Sequence, residues 1–254
     1  NDTLLWHTAD LTLKTLLPLK PEMSRVAWDN TGSKILYQYT DSKTGERSLN
    51  IASPDGKDWK SIAPLGTKEF FLAPVPANVL VSFWQRPGAR EKGSLHTVPL
   101  TGGIPKPILS DRFGADFLWS PLGDRILMSS TDPSHPGKSV LSLMNSSGGE
   151  LRTLDNASSF IGKATWSKNG RTIYYALPGS LPESTVLPND YYEKNLHSQD
   201  SFWRMDTENN KTERLVDLED LTEAYDASEL FLSLKEDMLY FIERKNQKLY
   251  RIEF

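Results

Sequence analysis

Four histidines, His7, His96, His135 and His197, are the side chains here best suited to proton transfer near neutral pH. Two stand near an acid in a polar segment: His135 follows Asp132 in TDPSHPGK, and His197 precedes Asp200 in NLHSQD. An imidazole beside a carboxylate suits either metal ligation or acid–base work. No H-x-H, H-E-x-x-H or other metal spacing accompanies them, so both pairs read as solvated loop histidines and no metal site is assigned. His96 (in SLHTV) and His7 (in LLWHTAD) read as strand residues. The strained G-x-S-x-G elbow that exposes a serine nucleophile does not occur, nor do the phosphate-loop and D-x-D-x-D-G calcium motifs. The glycine pairs at 102–103 and 148–149 precede no helix whose dipole would hold a phosphate. With no cysteine, disulfides, thiolate ligands and a Cys nucleophile are excluded. The motifs assign no catalytic residue and no cofactor.

A different chemistry lies in two polar stretches. One carries Asp190, Tyr191, Tyr192 and Glu193; the other carries Asp217, Glu219, Asp220, Glu223, Tyr225 and Asp226. Carboxylates supply a negative field, and tyrosines supply rigid amphipathic contact area, a combination suited to a protein interface with acids at its rim. The bland alternative is that the acids are solvated surface and the tyrosines pin their loop to the body of the protein.

The elements that position these residues follow from a repeat. VAWDNTGSKILYQY (26–39), FLWSPLGDRILMSS (117–130) and ATWSKNGRTIYYAL (164–177) share one pattern: Trp, a polar turn, Gly four residues on, then a β-rich run. Gly32, Gly123 and Gly170 suit a tight turn in which φ is positive. FLAPVPANVLVSF (71–83) and LFLSLKEDMLYFIE (230–243) are weaker copies without the Trp and Gly. A second hairpin follows each first one, at 48–64, 94–110, 139–155 and 201–217, with partial copies at 3–19 and 248–254. Starting points near 4, 48, 94, 139, 201 and 248 give steps of 44, 46, 45, 62 and 47 residues. Two hairpins per step of about 45 residues is the signature of four-stranded propeller blades, whose neighbouring sheets bury faces that one sheet cannot bury alone. A β-sandwich with coincidental spacing is the competing architecture. Helical periodicity is confined to 217–227.

The W-S-P-x-G-x-x-I pattern, read from Trp119 to Ile126 and from Trp166 to Ile173, resembles the WD-repeat-like blades of TolB-type β-propellers. The likeness extends over nearly the whole chain. It implies an all-β propeller of four-stranded antiparallel blades, five or six in number, forming a single domain over 1–254. The terminal blade is either incomplete or closed by the N-terminal LTLKTLLPL. The resemblance also implies a periplasmic or extracellular location. TolB carries a further N-terminal α/β domain that this sequence does not match, so its partner contacts are not transferred.

Composition narrows the partner. Twenty-nine basic and 33 acidic residues give a net charge of -4, opposite to the bias expected of a protein that grips nucleic acid or anionic lipid. The longest apolar stretches are strand-sized, so no membrane-spanning helix is expected. The chain opens NDTLLWHTAD without an initiator Met, which reads as a processed or trimmed product.

In the blade order above, connections between the two hairpins of a blade vary most, and 178–200 is the longest, accounting for the 62-residue step. Long loops in compact domains are usually functional or disordered. The expected binding residues are therefore Asp190, Tyr191, Tyr192, Glu193, Asp220, Glu223, Tyr225 and Asp226, on a non-catalytic module that binds a basic or polar protein. The alternative is a propeller enzyme, or the accessory domain of one, acting on polysaccharides or peptides from the axial channel. Neither reading names the partner or ligand.

Overall fold

The computed structural model describes residues 7–10, 15–18, 22–132, 134–193 and 196–254. Strands β1 (His7–Asp10) and β2 (Thr15–Pro18) pair with each other. Four four-stranded antiparallel sheets follow. The first holds β3 (Met23–Trp28), β4 (Ile35–Thr40), β5 (Arg47–Ala52) and β6 (Lys60–Gly66); the second holds β7 (Phe71–Pro74), β8 (Leu80–Trp84), β9 (Lys92–Pro99) and β10 (Lys106–Phe113). The third holds β11 (Asp116–Trp119), β12 (Arg125–Asp132), β13 (His135–Asn145) and β14 (Arg152–Thr153). The fourth holds β15 (Ala164–Trp166), β16 (Thr172–Pro178), β17 (Asp200–Asp206) and β18 (Thr212–Arg214). The last sheet has three strands, β19 (Ala227–Leu232), β20 (Met238–Glu243) and β21 (Leu249–Glu253). Every strand pairs with its neighbour in sequence, as two hairpins per repeat require. The expectation that 11–19 completes the last sheet falls partly outside the described residues; within them, Thr15–Pro18 pairs with β1.

The repeated turn has one geometry. Trp28, Trp119 and Trp166 stand opposite Ile35, Ile126 and Ile173 in their hairpins. The next residue donates its N–H across the turn: Asp29 to Lys34, Ser120 to Arg125 and Ser167 to Thr172, at 2.8–2.9 Å. Gly32, Gly123 and Gly170 take φ of +68°, +69° and +67°. The weaker copies close likewise, Val75 to Leu80 and Ser233 to Met238, with Ala77 (φ +55°) and Glu236 (φ +59°) in the left-handed region.

Turn equivalence does not extend to packing at every tryptophan. Trp119 and Trp166 are buried, whereas Trp28 is 49% exposed, so recurrence at one repeat position does not bring equal packing. Trp166 reaches the preceding sheet, where its Nε1 donates to the Leu118 carbonyl in β11 at 3.4 Å. The segment 217–227 is likewise not a regular helix. It holds one 3-10 turn, η2 (Leu218–Asp220).

The chain divides into two compact units, 1–86 with 94–109, and 87–93 with 110–254. In the first, Leu36, Leu49, Val81 and Val98 pack between sheets. In the second, Leu127, Leu143, Ile173 and Met205 form one core cluster, and Phe202, Leu239 and Phe241 belong to another. Strand alternation explains these clusters: within each unit, a sheet offers one row of side chains to the neighbouring sheet it packs on.

Candidate functional site

The second unit gathers its charged residues where strands begin and end. A 3-10 turn, η1 (Ile161–Lys163), leads directly into β15 and sets Lys163 at the strand mouth. Asp226 holds the corresponding place before β19, Asp200 opens β17, and Arg244 follows β20. Backbone bonds fix these ends together: Asp200 N donates to the Tyr225 carbonyl at 2.8 Å, and Arg244 N to that of Asp226 at 2.9 Å.

Lys163 has no exposed side-chain surface. Its Nζ donates to Asp200 Oδ2 at 2.5 Å, to Asp226 Oδ1 at 2.6 Å and to Ser198 Oγ at 3.2 Å. Ser198 Oγ lies 2.6 Å from Asp200 Oδ1, and Ala227 N donates to Asp200 Oδ2 at 2.8 Å. Arg244 Nη1 donates to Asp226 Oδ2 at 3.0 Å and to the Leu196 carbonyl at 3.1 Å; its Nη2 donates to the Tyr191 carbonyl at 2.6 Å. Two cations thus face two carboxylates, with serine and backbone groups filling the remaining bonds. This is the condition under which buried charge is tolerated. Burial pushes Asp200 above the usual carboxylate range, with Lys163 pulling the other way. Burial also acts on Asp226, but Lys163 and Arg244 together hold it below that range.

The long loop is anchored on this cluster. A short helical turn, α1 (Asn189–Tyr192), carries Tyr191, which is buried and stacks on Phe160 with ring centroids 4.2 Å apart. The guanidinium of Arg244 lies 4.1 Å from the Tyr191 ring centroid, close enough for a cation–π contact. Burial pushes the Tyr191 phenol upward, against the pull of Arg244. Gly162 makes room for the ring: a Cβ there would stand 3.0 Å from the Tyr191 hydroxyl. Tyr192 donates to Asp116 Oδ2 at 3.2 Å, and Asn189 Oδ1 accepts from Ala89 N at 2.8 Å. The turn therefore ties together residues that precede or follow strands of several sheets.

Of the sequence-selected residues, Tyr191, Tyr225 and Asp226 are buried, and Asp190 and Tyr192 are partly so. Tyr225 packs against Tyr250 and Phe241, and its hydroxyl lies 2.7 Å from Thr222 Oγ1. Asp190 Oδ2 accepts from Val186 N at 2.7 Å. Glu193, Asp220 and Glu223 are exposed, with Asp217 and Glu219 beside them in sequence. The two stretches meet through Ser198, His197 and Asp226: His197 Nδ1 is 3.3 Å from Asp226 Oδ2. The pairing of His197 with Asp200 is thereby corrected, because Asp200 turns inward to Lys163. His135 keeps its partner, with Nδ1 3.0 Å from Asp132 Oδ2. Ser134 Oγ lies 3.1 Å from that same nitrogen, so the three do not form a relay through the ring, which needs both nitrogens. Side-chain bonds from Ser134 and His135 and a backbone bond from Ser134 hold the exposed Asp132 carboxyl down, at about 2. No group of three or more His, Cys, Asp or Glu fit to hold a metal occurs among the described residues.

Sequence reasoning missed Lys163, Ser198 and Arg244. Only Lys163 gives a signal, as a lone charge in the otherwise apolar run FIGKATW.

No family model matches this chain, and no curated protein matches its sequence. Solved structures match its fold. TolB from Acinetobacter baumannii is 15% identical with a TM-score of 0.58, covering 96% of this chain and 61% of its own. An oligogalacturonate lyase in complex with manganese is 15% identical (TM-score 0.61; 96% and 69%). Hydrazine synthase of Kuenenia stuttgartiensis is 14% identical (TM-score 0.67; 98% and 70%). The fold is a TolB-like β-propeller. Its blades are the sheets described above, and this chain spans less than two thirds of that TolB. A propeller hosts both binding and catalysis, so function must be argued from the site.

Proposed function

We propose that residues 1–254 act as one propeller module that binds a protein partner and performs no chemistry on it. The carrying observation is the sealed charge cluster. Lys163, Asp200 and Asp226 would be the natural acid–base set, yet each is buried and bonded to the others. That cluster bonds Tyr191, Leu196 and Ser198 of the long connection and Asp226 at the end of the other stretch, while Glu193, Asp220 and Glu223 stay exposed. A rigid scaffold with an acidic exposed rim favours a basic or polar partner, which it steers electrostatically. Buried Tyr191 and Tyr225 serve this surface as its supports. The likeness to TolB-type blades supports a periplasmic or cell-surface setting, and no helix among the described residues is long and apolar enough to cross a membrane.

The test is capture from the native host with the parent chain and with an Asp220→Lys, Glu223→Lys, Glu193→Lys variant. The parent should retain a partner whose binding weakens with salt, and the variant should lose most of it by slower association. Equal capture by both, or turnover of a polysaccharide or peptide by the parent, overturns the proposal.

A further inference from the structure

A cavity of about 480 Å³ opens on the other side of the long loop, between 134–139 and 178–187. Its volume falls within the range of about 300–1,000 Å³ typical of small-ligand sites. Phe160, Leu181 and Leu187 give it an apolar floor, and Phe160 is held in place by its stack on Tyr191. The start of β13 and the long connection meet closely: a Cβ at Gly137 would lie 3.3 Å from the Thr185 carbonyl.

Charge on the walls is divided. Lys138 and His135 stand on the start of β13 and Glu183 on the long connection, all exposed. Lys138 and Glu183 have no ion-pair partner among the described residues, and they do not pair with each other. His135 is held by Asp132 and Ser134 at Nδ1, which leaves Nε2 as the nitrogen available to a ligand. An uncommitted cation and an uncommitted carboxylate lining one cavity with three apolar side chains complement a ligand with both charges and an apolar body.

We infer that this cavity binds a short zwitterionic peptide, its apolar side chain on Phe160, Leu181 and Leu187. The carboxylate goes to Lys138 and His135, and the ammonium goes to Glu183. Capture of a peptide end by a few charged groups at a pocket is an established recognition mode. The inference stands apart from the acidic rim, and its variants leave that rim untouched.

Calorimetric titration with leucyl-leucine tests it, alongside the N-acetyl form, the C-terminal amide and glycyl-glycine. Leucyl-leucine should bind saturably below about 10 mM, a weak-site affinity. Removing either charge should cost up to about fivefold, the upper end for an exposed ion pair, and glycyl-glycine should bind more weakly still. Lys138→Met should abolish the preference for the free carboxylate alone, and Glu183→Gln the preference for the free ammonium alone. Both substitutions sit on exposed positions, and an unchanged melting temperature confirms that the fold is intact. Absence of saturable binding overturns the inference, as does binding that ignores both substitutions. Binding of the acetylated and amidated forms as tightly as leucyl-leucine by the parent would make the cavity a site for apolar ligands that ignores the terminal charges, and overturn it too.

Discussion

The turns between first and second strands share one closing backbone bond in five sheets, while the connections between second and third strands differ in every one. The former span 29–34, 75–79, 120–124, 167–171 and 233–237, each closed by the same backbone bond. The latter run from the two residues between β12 and β13 to the long stretch between β16 and β17. Turns of the first kind are held by local torsion preference. The long loop is held by groups distant in sequence, through buried ion pairs and one aromatic stack. The difference separates two ways of fixing a loop: the first leaves a signature in a short window of sequence, and the second does not.

Substituting Lys163 should separate the two most sharply. Lys163→Met leaves two buried carboxylates with one cation between them, and should destabilise by about 3–5 kcal/mol. Urea unfolding measures this directly, and a loss below about 1 kcal/mol would mean the cluster contributes no more than a surface pair. Gly170→Val tests the local kind of turn. Forcing a β-branched residue to φ +67° should cost about 1–3 kcal/mol. Equal stability of that variant would show that the turn relaxes freely.

Acid provides a third discriminator. Asp226 is held low, so its charge stabilises the fold above the ordinary carboxylate range, and that contribution is lost as pH falls through its lowered value. Asp200 works in the opposite sense, because burial raises it and protonation occurs first in the folded protein. Stability should therefore fall below about pH 4. In Asp226→Asn the fall should be shallower, by up to about 1.4 kcal/mol per pH unit. Unfolding curves across this range check it, and parallel slopes would remove Asp226 from the account. The smallest effect is a gain. Ala77 is exposed at φ +55°, so Ala77→Gly should stabilise by about 0.5–1 kcal/mol, the strain relieved exceeding the backbone entropy lost. A melting temperature that falls would show that Ala77 holds its positive φ at less cost than the backbone entropy that glycine adds.

Most of the blade pattern was legible because its determinants are local. Trp119, Gly123 and Ile126 lie within one hairpin, and a turn that needs positive φ records that need as glycine. Glu236 and Ala77 show the limit: Glu236 takes the glycine's place and its positive φ without being glycine, and at 75–79 the positive φ falls one residue earlier, on Ala77. Trp28 shows another: its exposure is decided by what lies beside its sheet, which its own hairpin does not encode. The site was legible in outline only. Tyr191, Tyr192 and Asp226 stood out as types, but their burial depends on Phe160, Lys163 and Arg244, which come from other strand ends. His197 and Asp200 are three residues apart and look like a pair, yet on entering β17 the chain turns Asp200 inward.

The separation of these partners also orders events during synthesis. Lys163 stands 37 residues before Asp200 and 63 before Asp226. Arg244 comes later still, within the last sheet. A chain made from its N-terminus therefore presents Lys163 before either of its carboxylate partners, and long-range closures of this kind come late because their entropy must be met first. The charge balance of the cluster is complete only once Arg244 has joined Asp226. In a nascent protein the long loop is then the last part to settle, and its docking is the step that turns a row of hairpins into a finished surface.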